Sequence, residues 1–453
     1  MVAHGASRKK QQPSLRRAAA TADTDDVESL FSDISEYIPE ATSAEASADL
    51  LTQALDDIAG RRASTRLDGL KSLNRQLALH VHDAFLMQTL PSLQPLLIGC
   101  LRHATSDDEV CQAAHAVELI AMSVGTDGDE FLNAVIPVLK RMCLRGRNGA
   151  VQSAAIRAVA VAVVISVQHA DELRSWISFM SKLVRRANAD VATAALDAWA
   201  LLVTQLPTKD IAGPVRERYL KTLMALLHSS SVEVRSAAGE ALALVIEADW
   251  LGRRAADDDS EDASSGKEVY SDAEQGDDEE DFSEDDDESD DVEENVDDQD
   301  LLSDEDVDED ELPEVLEVLA TDGTRSRGRK ERSMQRSVFR SVLATVTDGV
   351  LPRTALKIGT QKVKFGTWRD LIRLSTVRQV LAEGFHRHIS SNDLVRDVLA
   401  ITPRESVLVG KASRKGPEPS AKGMSQATTK IRHEMMKASR SVKHQLKFAH
   451  EDK

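Results

Sequence analysis

One phrase, Val-x-x-Ala-Ala, occurs four times at nearly constant spacing: Val110-Cys-Gln-Ala113-Ala114, Val151-Gln-Ser-Ala154-Ala155, Val191-Ala-Thr-Ala194-Ala195 and Val234-Arg-Ser-Ala237-Ala238. The valines stand 41, 40 and 43 residues apart. A period of roughly 40–47 residues marks HEAT and armadillo solenoids, whose helical pairs bury their apolar faces only by stacking on neighbours. Paired alanines let adjacent helices approach closely, and the larger apolar residues that follow fill the seam. Such an array offers a long surface, so binding is expected before catalysis.

A degenerate copy precedes the four. Leu67, Leu70, Leu73 and Leu77 form one helical stripe, and Thr65 stands 45 residues before Val110 in the place of the valine. This is the atypical terminal unit that a solenoid needs as a cap. Partner helices are expected over residues 85–102, 129–145, 171–186 and 213–228. Pro91, Pro137, Pro207 and Pro214 are expected at or near helix starts or loops, where a missing N–H costs least. Order should begin where Thr42-Ser43 can cap the first helix. The solenoid of residues 43–250 then holds roughly ten helices in five pairs. Cys100, Cys111 and Cys143 read as small buried hydrophobes in a reducing compartment.

Charge divides the remainder. The net charge of −20 hides a segment, residues 257–311, with 32 acidic residues against the single Lys267. Residues 325–453 carry 28 basic residues against 11 acidic ones. A segment as acidic as the first cannot offset its chain entropy by burying apolar surface. Residues 251–324 are therefore expected to be a disordered linker that ends in a short helix over Leu312–Leu319, and residues 1–42 a disordered arm. Ser271, Ser283 and Ser303 each have acidic residues at +1 and +3, the pattern of acidophilic-kinase substrates. Beyond the linker, Val338, Phe339, Val342, Leu343 and Val346 share a helical face. Residues 352–365 alternate weakly, with Leu356, Ile358, Val363 and Phe365 as apolar points. Helices follow over 368–383 and 392–400. The expected fold is all-α: a HEAT/armadillo-like helical solenoid, then a small, mostly helical domain over 325–402, with a disordered acidic linker and basic tails.

Two blocks resemble a known family. Gln335-Arg-Ser-Val-Phe-Arg-Ser-Val-Leu343, Trp368, Val380-Leu-Ala-Glu-Gly384 and the stretch from His388 to Leu399 are similar to the C-terminal domain of the interferon-related developmental regulators. Asp57-Ile-Ala-Gly-Arg-Arg-Ala-Ser-Thr-Arg66 resembles the start of that family's armadillo-like N-terminal domain. The long acidic tract departs from the family pattern, as does part of the segment 356–365. The resemblance implies a non-catalytic regulator of gene expression. Two routes are implied, repression of translation on ribosomes and transcriptional co-regulation through protein partners.

Enzyme signatures are missing from the sequence. The P-loop is broken because Glu405 stands where its first glycine belongs, and neither H-E-x-x-H nor C-x-x-C occurs. His386-x-His388 is the nearest approach to a metal pair, but residues two apart leave a helix on different faces. No cofactor, small-molecule substrate or membrane partner is expected. The positive chemistry is electrostatic. In the tail of residues 403–453, Ile431, Met435, Ala438, Val442 and Leu446 form a stripe flanked by Lys430, Arg432, Lys437, Arg440, Lys443 and Lys447. These six are candidate phosphate contacts for ribosomal RNA, with Arg329, Lys330 and Arg332 next. Protein partners are expected in the solenoid groove. The first reading is a translational regulator bound to ribosomes or RNA. The alternatives are a nuclear transcriptional co-regulator and a general scaffold or transport adaptor. Localisation is expected to be cytoplasmic, nuclear or both.

Overall fold

The computed structural model describes residues 44–186, 188–262, 309–321, 329–358 and 361–401. Helices α1 (Ala44–Ile58) and α2 (Ala63–Leu79) form the first pair, α3 (Asp83–His103) and α4 (Asp107–Val124) the second. The third is α5 (Asp129–Arg145) with α6 (Gly149–Ser166), and the fourth α7 (Ala170–Arg186) with α8 (Ala189–Val203). In the fifth, α9 (Arg216–Leu226) precedes the long α10 (Val232–Asp262). The second helices α2, α4, α6, α8 and α10 pack against one another in sequence as a continuous row. Ala114, Ala155, Ala195 and Ala238, the last residues of the four phrases, have no exposed surface, as close helix packing requires.

The phrase also has a start signal three residues upstream. The side chains of Asn148 and Asn188 accept hydrogen bonds from the backbone N–H groups of Val151 and Val191, each at 3.0 Å. Ser231 does the same for Val234 at 3.4 Å. Each side chain satisfies one of the donors that a helix N-terminus leaves open. Polar ties cross from pair to pair as well. Arg66 reaches the fully buried Glu109 at 2.6 Å, and Asn148 donates to Asp107 at 2.6 Å.

Pro91, with its neighbour Pro95, and Pro137 lie inside α3 and α5 and not at their starts. An interior proline removes one hydrogen bond to the carbonyl four residues back. Those carbonyls belong to Met87, Pro91 and Asn133, all exposed, so water can take the place of the missing N–H. Two described helices, α3 and α6, are long and apolar enough to cross a membrane; α6 is packed against α4, α5 and α8.

The array continues past the acidic segment. Helices α11 (Leu312–Thr321) and α12 (Arg329–Asp348) form a sixth pair, and α12 lies against α10 much as α10 lies against α8. Phe339, fully buried, sits directly on Gly239; a β-carbon there would lie 3.0 Å from the ring. The acidic residues therefore interrupt the stack between its fifth and sixth pairs, and 263–308 lie outside the described residues. Where the chain re-enters, Glu309 pairs with Arg216 of α9 at 2.5 Å.

After α12 the chain reverses. A two-stranded antiparallel hairpin, β1 (Thr354–Ile358) and β2 (Gln361–Phe365), leads into α13 (Trp368–Leu381), α14 (Phe385–Ser391) and α15 (Asp393–Val398). Helix α13 crosses the row of second helices, touching α2, α4, α8 and α10; α14 contacts α2 and α15 contacts α4. With neighbours on every side, all nine residues from Ala116 to Val124 in α4 are buried. Among the described residues the expected region 325–402 thus divides into a helix that stacks in the array and a segment, 354–401, that folds back along it.

Candidate functional site

The second helices run alike, so their C-terminal ends, each with unsatisfied carbonyls and negative dipole, line up along the row. Residues 368–396 bring side-chain donors to those ends. At α8, Arg369 donates to Leu206 O at 3.0 Å, and Arg373 to Thr204 Oγ1 at 3.1 Å and to Thr204 O. Burial holds the Arg373 guanidinium down to about 10. At α2, Arg387 reaches Leu79 O at 3.5 Å, and His388 Nε2 donates to Leu77 O at 3.0 Å. At α4, Asn392 donates to Met122 O at 2.8 Å. The same Asn392 donates to His388 Nδ1 at 3.2 Å, and its oxygen caps Val395 N at 3.2 Å.

His388 is fully buried, and loss of water lowers it to about 4. It is therefore a neutral imidazole with both nitrogens engaged, donating through Nε2 and accepting through Nδ1. His386 lies edge-on against the Phe385 ring, so the two histidines do not converge on one point.

The opposite charge starts α13. The Glu247 carboxylate of α10 accepts hydrogen bonds from Trp368 N at 3.0 Å and Arg369 N at 3.3 Å. A carboxylate suits the positive end of a helix. The Trp368 indole donates to buried Thr345 of α12 at 2.9 Å, so this corner joins the fifth pair, the sixth pair and the fold-back segment. Burial raises Glu247 from its ordinary 4.5 to about 7 despite its two donors. The folded chain therefore binds that proton more tightly than the unfolded one. The contribution of Glu247 to stability is complete below about 4.5 and is lost as pH rises through about 7. Glu247→Gln should flatten that part of a thermal-midpoint curve recorded against pH. A variant with the parent's slope there would exclude Glu247 as its source.

Of the residues expected from sequence to contact phosphate, Arg329, Lys330 and Arg332 fall in the opening turn of α12. Lys430, Arg432, Lys437, Arg440, Lys443 and Lys447 lie outside the described residues, as do Ser271, Ser283 and Ser303. Along the row of second helices lie the chain's own α13–α15. The donors that hold them there do not stand out in the sequence. The spacing Trp368-Arg369-x-x-x-Arg373, which places two guanidiniums one turn apart, is the available signal.

These features define a helical-repeat scaffold of the armadillo and HEAT kind, tied along its row of second helices by its own C-terminal helices. Its family is independently evident. The chain belongs to the interferon-related developmental regulator family, whose profile matches residues 19–347. That span reaches almost to the end of α12, so it takes in all six pairs and stops before the fold-back segment. The chain is 25% identical over 360 residues to Interferon-related developmental regulator 1 of Sus scrofa, covering 76% of this chain and 69% of that protein. It is 26% identical over 386 residues to Interferon-related developmental regulator 2 of Mus musculus, covering 81% and 76%. Membership makes the chain a regulator of gene expression in the general sense, within a family of regulators that is not a known family of enzymes.

Proposed function

We propose that the chain acts without catalysis on translation, associating in the cytoplasm with ribosomal RNA through its basic C-terminal portion. The observation that carries this reading is the segregation of charge. A chain of net charge −20 gathers 28 basic residues against 11 acidic ones in residues 325–453. Such a segment attracts phosphate backbones irrespective of base identity. Because α13–α15 lie against the row of second helices, protein partners would meet the side of the array formed by α1, α3, α5, α7 and α9. Sedimentation of lysate on sucrose gradients tests the reading. The full chain should co-migrate with ribosomal particles, and alanine at Lys430, Arg432, Lys437, Arg440, Lys443 and Lys447 together should move it to the top. A full chain found only at the top rejects the translational role and favours the nuclear co-regulator.

A further inference from the structure

Between Asp348 and Asp370 the sequence has five basic residues and no acidic one. Arg369 is bound to Leu206 O. The other four, Arg353, Lys357, Lys362 and Lys364, are all exposed, and all lie on or beside the hairpin. Strand alternation sorts them. Thr354, Leu356, Ile358 and Phe365 are buried, while Lys357 pairs directly with Lys362, and Lys364 with Ala355, on the outward face. Arg353 continues the same outward series one step before β1. Among the described residues none of the four has a hydrogen-bond or ion-pair partner. Like charges placed opposite each other weaken an antiparallel pair. These strands are only five residues each, and among the described residues the sheet has no third strand. The lysines therefore destabilise the hairpin and gain nothing within the fold.

We infer that the outward face of β1–β2 docks the phosphate backbone of folded RNA. The inference rests on the translational reading above and adds four named residues to it. Ala355 is the one apolar residue on that face, so the hydrophobic centre of a protein interface is missing. The face has no aromatic ring on which bases could stack, which leaves the backbone as the ligand. Lysines act there as compact charges on flexible stems.

The test uses the full chain and a fluorescently labelled RNA hairpin, titrated over a series of salt concentrations. The variant carries Arg353→Gln, Lys357→Gln, Lys362→Gln and Lys364→Gln. Binding should weaken for every RNA sequence alike. The slope of log affinity against log salt should become shallower by about 0.7–0.9 for each phosphate that the variant no longer neutralises. The thermal midpoint should equal or exceed the parent's, which separates weakened binding from impaired folding. Lys362→Glu alone, which gives Lys357 an opposite charge, should raise the midpoint while weakening RNA binding. If the parent binds RNA and the fourfold variant binds with the same affinity and slope, the hairpin inference is overturned and the translational reading stands. A parent that binds no RNA overturns both. Loss of binding to polyglutamate with RNA binding intact would point to an acidic protein and also overturn the inference.

Discussion

Alanine at Gly384 is expected to lift the fold-back helices from the array and to lower stability by about 3 kcal/mol or more. A β-carbon at that position would lie 1.5 Å from Ala78 O, 2.4 Å from its carbonyl carbon and 3.1 Å from Leu79 N. Flexible side chains can move aside, but these three atoms are the backbone at the end of α2. The φ of Gly384 is −87°, a value alanine accepts, so the effect is purely one of space. The displaced helix would take Arg387 and His388 away from Leu79 O and Leu77 O. Buried carbonyls left without donors would add to the loss. Urea unfolding and limited proteolysis of residues 366–400 check this. A variant with the parent's midpoint and protease resistance would show that the close approach is not needed.

Phe339→Ala should cost about 3–5 kcal/mol, the usual range for removing a fully buried phenylalanine. Its position makes the result informative beyond its size. In a stacked array each unit leans on its neighbours, so damage at one junction loosens both sides. If the sixth pair is part of the stack, amides of α10 should exchange faster in the variant, because Gly239 loses the ring that covers it. If α12 belonged to a separate unit on a tether, exchange in α10 would stay at the parent's rate.

The first five pairs are readable in the sequence because Val-x-x-Ala-Ala keeps its place in four of them and the leucine stripe after Thr65 marks the other. The helices of the sixth pair show as apolar patterns, but their place in the array does not, because the acidic insertion stretches one period. Gly239 and Phe339, which touch, are 100 residues apart in sequence (339 − 239), where the earlier step is about forty. Pro91 and Pro137 fall inside helices, against expectation, because a proline's cost depends on whether water reaches the freed carbonyl. That depends in turn on the side of the helix it faces. The charged residues of the fold-back segment are hidden for a related reason. Arg369, Arg373 and Arg387 look in sequence like solvated surface. Only the alignment of three helix ends makes them half-buried donors. The apolar points of residues 352–365 are visible in the sequence and form the inward side of the hairpin. The lysines between them carry no signal until the strands pair. The six tail residues expected to bind phosphate lie outside the described residues.

The contact between Gly384 and Ala78 also has a timetable. The two positions are 306 residues apart in sequence (384 − 78). At synthesis rates of about 5–20 residues per second, the end of α2 waits on the order of 15–60 s before its cover emerges. Through that interval the apolar side of every second helix is made and left bare, growing with each new pair. The exposed apolar surface is therefore greatest just before α13–α15 are made, and it is these helices that end the vulnerability.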